Sequence, residues 1–193
     1  MKLDNTRHLL AITIGCIAYL LPACDRKQNA LDHNQLGVAY WTQGKLEQAI
    51  AQYQKAIQID PNFAQAHYNL GNVYKNQGQL EQAIVEYQKV IQIDPNLAYA
   101  HYDLGVVYVK QGQLDQAIAE YQKTIQIDPN FAFAYPYYGL AAIYSLKNET
   151  ALAIEWLQKA ISMDARWIEL SKAESAFDNM RESPEFQQLI NSQ

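Results

Sequence analysis

The fold is decided by the stretch Ala64–Phe131, in which two closely similar 34-residue sequences follow one another. Ala64–Leu97 reads AQAHYNLGNVYKNQGQLEQAIVEYQKVIQIDPNL, and Ala98–Phe131 reads AYAHYDLGVVYVKQGQLDQAIAEYQKTIQIDPNF. The two segments are identical at 25 of 34 positions. A fixed period of this length is typical of stacked repeat units, each of which buries its apolar face against its neighbours.

Each unit predicts two helices. In the first half of Ala64–Leu97, the residues His67, Leu70, Gly71 and Tyr74 are spaced i, i+3, i+4 and i+7, as on one face of a helix. The second half repeats this spacing, which predicts a second amphipathic helix with the residues Leu80, Ala83, Ile84, Tyr87, Val90 and Ile91 on one face.

The ends of these helices are also encoded. Gly78 lies between the two predicted helices, where a left-handed backbone conformation ends the first of them. Pro95 ends the second, because the residue before a proline disfavours helical dihedral angles. A fourth, degenerate unit has Asn148 in place of this turn glycine, and asparagine is the next best residue for a left-handed position.

The pattern resembles the tetratricopeptide repeat (TPR) family, in which Leu-Gly and Tyr mark the first helix and Ala, an aromatic residue and Pro mark the second. The resemblance implies an all-α fold, an α-solenoid of antiparallel helix pairs forming a right-handed superhelix with C-terminal capping helices. The units are placed at 30–63, 64–97, 98–131 and, degenerate, 132–167, and the cap at 168–193. Matching residues are Leu36-Gly37, Leu70-Gly71 and Leu104-Gly105, with Tyr40, Tyr74 and Tyr108, then Ala49, Ala83, Ala117, Tyr53, Tyr87, Tyr121, Pro61, Pro95 and Pro129.

Residues 1–24 predict a targeting segment. Lys2 and Arg7 precede the uncharged, mostly apolar run Leu9–Leu21, as in a secretory signal. The stretch Leu21-Pro22-Ala23-Cys24 resembles a bacterial lipobox, so Cys24 is the predicted lipidation site and residues 25–29 a linker. An uncleaved N-terminal anchor and an ordinary secreted chain remain alternatives, although the run is shorter than the about 20 residues of a typical membrane span.

Composition and motifs exclude several classes of function. The net charge of −5 and the lack of a basic patch disfavour nucleic acid as a partner. No catalytic motif, metal set or cofactor fingerprint occurs, so the sequence predicts neither an enzyme nor a cofactor. His33, His67 and His101 recur every 34 residues, but neighbouring packed helices lie about 8–10 Å apart, so we expect them to pack rather than to bind metal.

The resemblance also places a partner-binding groove. In this family the first helix of each unit lines the concave face through its second, fifth, ninth, twelfth and thirteenth positions. The residues expected to bind a partner are Asn34, Trp41, Tyr68, Asn72, Lys75, Asn76, Tyr99, Tyr102, Lys110, Tyr135 and Tyr138, and Val38, Val109, Ala142 and Leu146 fall at the same positions.

Two interpretations of this aromatic groove stay open. Tyrosine and tryptophan are enriched in binding hot spots, but the same rings could instead pack on their own array. The carboxylate clamp of chaperone-binding TPR domains is not reproduced, because Asn34, Val38, Asn69, Tyr99 and Asp103 stand at its positions.

The sequence therefore predicts a non-catalytic protein-interaction scaffold that binds a peptide or helix of a partner and is tethered to a membrane. A bacterial lipoprotein would lie on the periplasmic or extracytoplasmic face of the envelope. Alternatives are an assembly factor for an envelope machine, such as a pilus secretin or peptidoglycan remodelling, or for a membrane complex such as a photosystem. Self-association through the end of the array is a further possibility.

Overall fold

The computed structural model describes residues 25–191, and this part of the chain contains helices, turns and no β-strand. It divides into two compact units, the first ending at Gly78 and the second beginning at Gln79. Within each unit, consecutive repeat helices pair antiparallel, which confirms the predicted all-α solenoid fold. The helices are α1 (residues 25–42), α2 (Leu46–Ile59), α3 (Ala64–Asn76), α4 (Leu80–Ile93), α5 (Ala98–Lys110), α6 (Leu114–Ile127), α7 (Tyr135–Leu146), α8 (Thr150–Met163), α9 (Arg166–Ala173) and α10 (Pro184–Asn191), with short 3-10 helices at Phe131–Ala134 and Ser175–Phe177.

The segment 25–29, expected to be a linker, is already helical and belongs to α1. It contains Arg26, Lys27 and Gln28, which are good helix formers. The Gln28 side-chain amide donates a 2.8 Å hydrogen bond to Asp32 one turn later. Local helix propensity therefore starts α1 on the N-terminal side of Ala30, which is the first residue of the repeat and is buried.

The turns between paired helices have the predicted left-handed geometry. Gly44, Gly78 and Gly112 have φ angles of +73°, +74° and +73°. Asn148 occupies the equivalent turn of the fourth repeat with a φ of +61°, which confirms its predicted role. The repeat thus ends its first helix in the same way whether the residue is glycine or asparagine.

The connection between repeats is fixed by the Asp-Pro-Asn triplet. Asp94 and Asp128 are the extended residues that follow α4 and α6. Their carboxylates each accept a 3.0 Å hydrogen bond from a backbone N–H two residues later, at Asn96 and Asn130. Helix termination therefore depends on the aspartate as well as on the proline that the sequence pattern singled out.

The second unit packs around Tyr121 of α6, which is 5% exposed. Its ring lies between two glycines: a Cβ added at Gly105 would come within 2.7 Å of the ring, and one at Gly139 within 2.6 Å of its other edge. Tyr53 meets Gly37 in the same way in the first unit, at 2.5 Å. Glycine on the first helix of a repeat thus creates the space that the tyrosine of the second helix fills.

His101 packs as the repeat pattern predicts. Its Nδ1 lies 2.6 Å from the Glu120 carboxylate, and its Nε2 lies 3.1 Å from the carbonyl oxygen of Pro95. In the first unit, Nδ1 of His33 lies 2.7 Å from the side-chain oxygen of Gln52. These histidines join helices within a repeat, and no group of three metal-ligating side chains occurs in the described residues.

The fourth repeat begins with an irregular turn. Two residues inserted before it form part of the 3-10 helix Phe131–Ala134, in which Ala132 and Ala134 have φ angles of +42° and +74°. Pro136 then lies in the first turn of α7, as predicted. This turn sets the start of α7 and therefore the positions of the side chains that α7 presents.

The C-terminal segment covers the end of the second unit. Asn179 of the tail binds the C-terminal end of α7. Its side-chain amide donates hydrogen bonds to the Ser145 carbonyl and, at 2.8 Å, to the Asn148 side chain. The buried cluster that the tail shares with the fourth repeat contains Ala141, Ala153, Leu157, Ala160, Ile161, Trp167, Ile168, Phe177, Met180, Phe186 and Ile190. These contacts place apolar tail residues against a repeat face that would otherwise be exposed to water.

The predicted signal segment 1–24 and its lipidation site Cys24 lie outside the described residues. Within residues 25–191, every helix is too short or too polar to cross a bilayer.

Candidate partner-binding site

The second unit contains an apolar cavity of about 390 Å³ between α5, α7 and the segment after α9. We call it the tyrosine pocket, because four of its lining residues are tyrosines. Tyr102 comes from α5, whereas Tyr135 and Tyr138 come from α7. The complete lining is Tyr102, Val109, Tyr121, Tyr135, Tyr138, Gly139, Ala142, Ile143, Leu146, Glu174, Ser175 and Ala176.

The walls of this pocket are built from aromatic rings in contact with one another. Tyr138 stacks on Trp167 with ring centroids 4.4 Å apart and meets the edge of Phe177 at 5.5 Å. Tyr102 lies 5.2 Å from Phe131 and 5.7 Å from Tyr121. These rings therefore pack on their own array, as one interpretation of the sequence expected, and they still enclose an open cavity.

Two side chains at the pocket leave much of their surface in water. Tyr135 is 49% exposed although its ring touches Trp167 at 5.1 Å, and Leu146 is 51% exposed. An exposed tyrosine and leucine beside an apolar cavity form a surface that gains free energy when it is covered.

Two carboxylates, those of Asp103 and Glu174, act on the tyrosines of the pocket. Burial and the carboxylate of Asp103 raise the pKa of Tyr102 to about 12. Burial, and then the nearby charge of Glu174, raises the pKa of Tyr138 above its usual range. Both phenols are therefore neutral hydrogen-bond donors and acceptors near pH 7.

The Tyr138 hydroxyl is an unsatisfied group in this pocket. It is buried and has no hydrogen-bond partner among the described residues. A buried hydroxyl without a partner costs about 1–3 kcal/mol, so this position lowers the stability of the folded second unit.

The first unit contains a smaller cavity of about 300 Å³, which is less apolar than the tyrosine pocket. Beneath it, the Asn69 amide donates a 2.9 Å hydrogen bond to Asn34, which is only 5% exposed. Asn34 therefore holds Asn69 in place and has little surface for a partner. The cavity is lined by Val38, Trp41, Tyr53, Asn69, Asn72, Lys75 and Asn76, so four predicted groove residues meet there.

Besides Asn34, three other predicted residues line neither cavity. Tyr68 is half-buried on α3, and Lys110 is exposed at the end of α5. Tyr99 is half-buried at the start of α5, where burial and the charge of Asp94 raise the pKa of its hydroxyl.

Glu174, Ser175 and Ala176 are lining residues that sequence reasoning missed. They belong to the tail, whose sequence has no repeat register from which a groove position could be assigned. Gly139 could have been identified from the sequence, because the preceding repeats have the larger residues Asn69 and Asp103 at the same position. The Tyr121 ring fills the space of the missing side chain at Gly139, and both residues line the pocket.

Comparisons with known solved structures agree with this architecture. The chain resembles a crystal structure of MamA with a TM-score of 0.68 and 26% identity, covering 88% of this chain and 98% of MamA. It resembles MamA of Desulfovibrio magneticus RS-1 with a TM-score of 0.72 and 22% identity, covering 83% and 89%. It resembles PilF of Pseudomonas aeruginosa with a TM-score of 0.69 and 23% identity, covering 86% and 75%.

Family models give the same result, although no curated protein matches this chain at a significant level. TPR repeat models match residues 39–78 and 71–112, and tetratricopeptide repeat models match residues 98–131 and 134–166. The matches together span more than half of the chain and follow the helix pairs described above. The chain belongs to the tetratricopeptide repeat family.

Proposed function

We propose that this chain is a non-catalytic scaffold, tethered to a membrane, which binds a peptide or helix of a protein partner in the tyrosine pocket. Membership of the TPR family and the fold shared with MamA and PilF support a protein-interaction role. The observation that carries the choice of site is the open aromatic cavity of about 390 Å³ in the second unit.

The chemistry of the pocket suits a protein ligand. Cavities of about 300–1,000 Å³ with mostly apolar walls and a few polar groups are typical binding sites. Tyrosine and tryptophan dominate binding hot spots, because a rigid ring covers a large area and loses little side-chain entropy. Tyr135, which is 49% exposed, is the ring that a partner can cover most.

Tyr135→Ala is the variant that tests the site. The side chain is half in water, so we expect the free energy of unfolding to fall by about 1 kcal/mol or less. Truncation of a hot-spot ring costs about 2 kcal/mol or more in binding, so capture of the partner should fall at least about tenfold. The measurement is photo-crosslinking in native membranes, with a benzophenone amino acid at position 146, followed by mass spectrometry of the adducts.

Leu170→Ala is the matched control. Leu170 is 51% exposed on α9 and does not line the pocket, so its truncation removes similar apolar area elsewhere. Equal recovery of the same adducts from the Tyr135→Ala chain would contradict the assignment of the site. Tyr138→Ala is unsuitable for this test, because the ring is stacked on Trp167 and its loss would destabilise the fold.

The membrane tether is supported by the N-terminal sequence alone. We expect intact-mass measurement of the protein from native membranes to give a chain that begins at Cys24 and carries added acyl mass. A soluble chain, or one starting elsewhere without acyl groups, would contradict lipidation. A full-length chain starting at Met1 in the membrane would instead support an uncleaved anchor and turn the search toward assembly factors of membrane complexes.

An envelope role is part of this proposal. A lipoprotein would present the tyrosine pocket on the extracytoplasmic face, where partners in envelope assembly lie. The identity of the crosslinked partner decides between this role and assembly of a membrane complex.

A further inference from the structure

Charge is distributed unevenly along the chain. Residues 79–193 contain 8 lysines and arginines against 15 aspartates and glutamates, a net charge of −7. Residues 1–78 carry 7 bases and 5 acids, a net charge of +2. The tyrosine pocket lies in the acidic part, so its long-range field attracts cationic ligands.

Most bases of the second unit are already paired. Lys147 lies 2.7 Å from Asp115, and Lys159 and Lys172 lie 2.7 Å from Glu155 and Glu169. Arg166 and Arg181 pair with aspartates at 2.5 Å and 2.6 Å. Ion pairing inside the unit therefore occupies five of its eight basic side chains, and the excess of carboxylates remains.

Glu174 is one of these excess carboxylates, and it lies at the pocket. Its side chain has no ion pair or hydrogen bond among the described residues. It is the one charged residue among the described residues that line the cavity. Its charge acts directly on the Tyr138 hydroxyl, whose pKa it helps to raise.

The remaining walls suit a cation with an apolar stem. The π faces of tyrosine attract cations, by about 0.5–2 kcal/mol depending on how far the cation is desolvated. Tyr102, Tyr135 and Tyr138 surround the cavity, while Val109 and Leu146 offer apolar surface for a methylene chain.

We propose that the tyrosine pocket takes an arginine side chain from a basic segment of the partner, with its guanidinium between the tyrosine rings and the carboxylate of Glu174. This proposal rests on the proposed function and names the chemistry of the partner. A guanidinium is planar, stacks on aromatic faces and presents several donors at once, so it can meet a tyrosine ring and a carboxylate together. A neutral apolar side chain would leave the Glu174 carboxylate without a partner.

The test is selection of random dodecapeptides, displayed on phage, against the immobilised full chain. We expect peptides containing arginine to be enriched, and the affinity of a selected peptide to fall with added salt. Replacing its arginine by the neutral isostere citrulline should lower the affinity about tenfold, as measured by fluorescence anisotropy.

The matched variants are Glu174→Gln and Glu182→Gln. Both remove one negative charge from an exposed position of the tail, and Glu182 does not line the pocket. On the Glu174→Gln chain the arginine and citrulline peptides should differ by twofold or less, whereas on the Glu182→Gln chain they should differ as on the unmodified chain. The substitution is made on both the peptide and the protein, so a folding defect cannot imitate this result.

The outcomes separate this proposal from the function on which it rests. If the enriched peptides contain no arginine and bind the Tyr135→Ala chain more weakly, the pocket binds a peptide but not an arginine side chain. This result would contradict the arginine proposal and still support the scaffold function. If citrulline substitution lowers the affinity equally on the Glu174→Gln and Glu182→Gln chains, Glu174 does not bind the arginine, and the proposal would also be contradicted. Enrichment of no peptide at all would contradict the peptide-binding function as well.

Discussion

Trp167→Ala is expected to lower the free energy of unfolding by about 3–5 kcal/mol, the range for a large buried aromatic side chain. Trp167 is 5% exposed and stacks on Tyr138 at 4.4 Å, while Tyr135 meets it edge-on at 5.1 Å. Its removal leaves a cavity between the fourth repeat and the tail and takes the support from two walls of the tyrosine pocket. The measurement is urea unfolding of the full chain, followed by far-UV circular dichroism.

Trp156→Ala is the control for this variant. Trp156 is half-buried on α8, with the Lys159 ammonium 4.1 Å from its ring centroid. We expect its truncation to cost about 1–2 kcal/mol, because less of the ring leaves a packed environment. Equal losses for the two tryptophans would contradict the assignment of Trp167 to the core of the capped repeat.

Gly105→Val is expected to destabilise the second unit by about 3 kcal/mol through overpacking, even though valine is a better helix former than glycine. An added Cβ would lie 2.7 Å from the Tyr121 ring. The ring has little room to move away, because Tyr121 is only 5% exposed and its other edge packs against Gly139 of α7. The same urea experiment measures this loss.

Gly112→Asn is the matched glycine substitution. No atom lies within 4 Å of a Cβ built at Gly112, so the only penalty is its left-handed backbone, with a φ of +73°. Asn148 already adopts this conformation in the fourth repeat. We expect a change of about 0.5 kcal/mol or less, and a loss as large as that of Gly105→Val would contradict the steric explanation.

Most of the fold could be predicted from the sequence, because the same helix-forming and helix-ending residues recur in three successive repeats. The 34-residue spacing gave the helix pairs, and the turn residues Gly112 and Asn148 gave the ends of their first helices. The prediction failed at residues 25–29, where helix propensity outside the repeat register continues α1. It also gave no conformation for the insertion before α7, because the positive φ angles of Ala132 and Ala134 follow no propensity of alanine.

The candidate site was predicted only in part. Tyr102, Tyr135 and Tyr138 were placed in a groove by their repeat positions, and they do line one cavity. Tyr68, Tyr99 and Lys110 lie outside the two cavities, although they hold equivalent positions. Position within a repeat gives the helix face of a side chain, but the neighbouring side chains decide whether a cavity forms there.

The sequence by itself determined the helix pairs, their turns and the residues of the packed core, because these depend on contacts that recur at a fixed spacing. Only the tertiary structure decided that the tail brings Glu174 to the tyrosines, and that the Tyr121 ring packs against Gly139 beside the pocket. These contacts join residues outside the repeat register and depend on where the tail packs. A periodic pattern carries no information about them, because each of them occurs once.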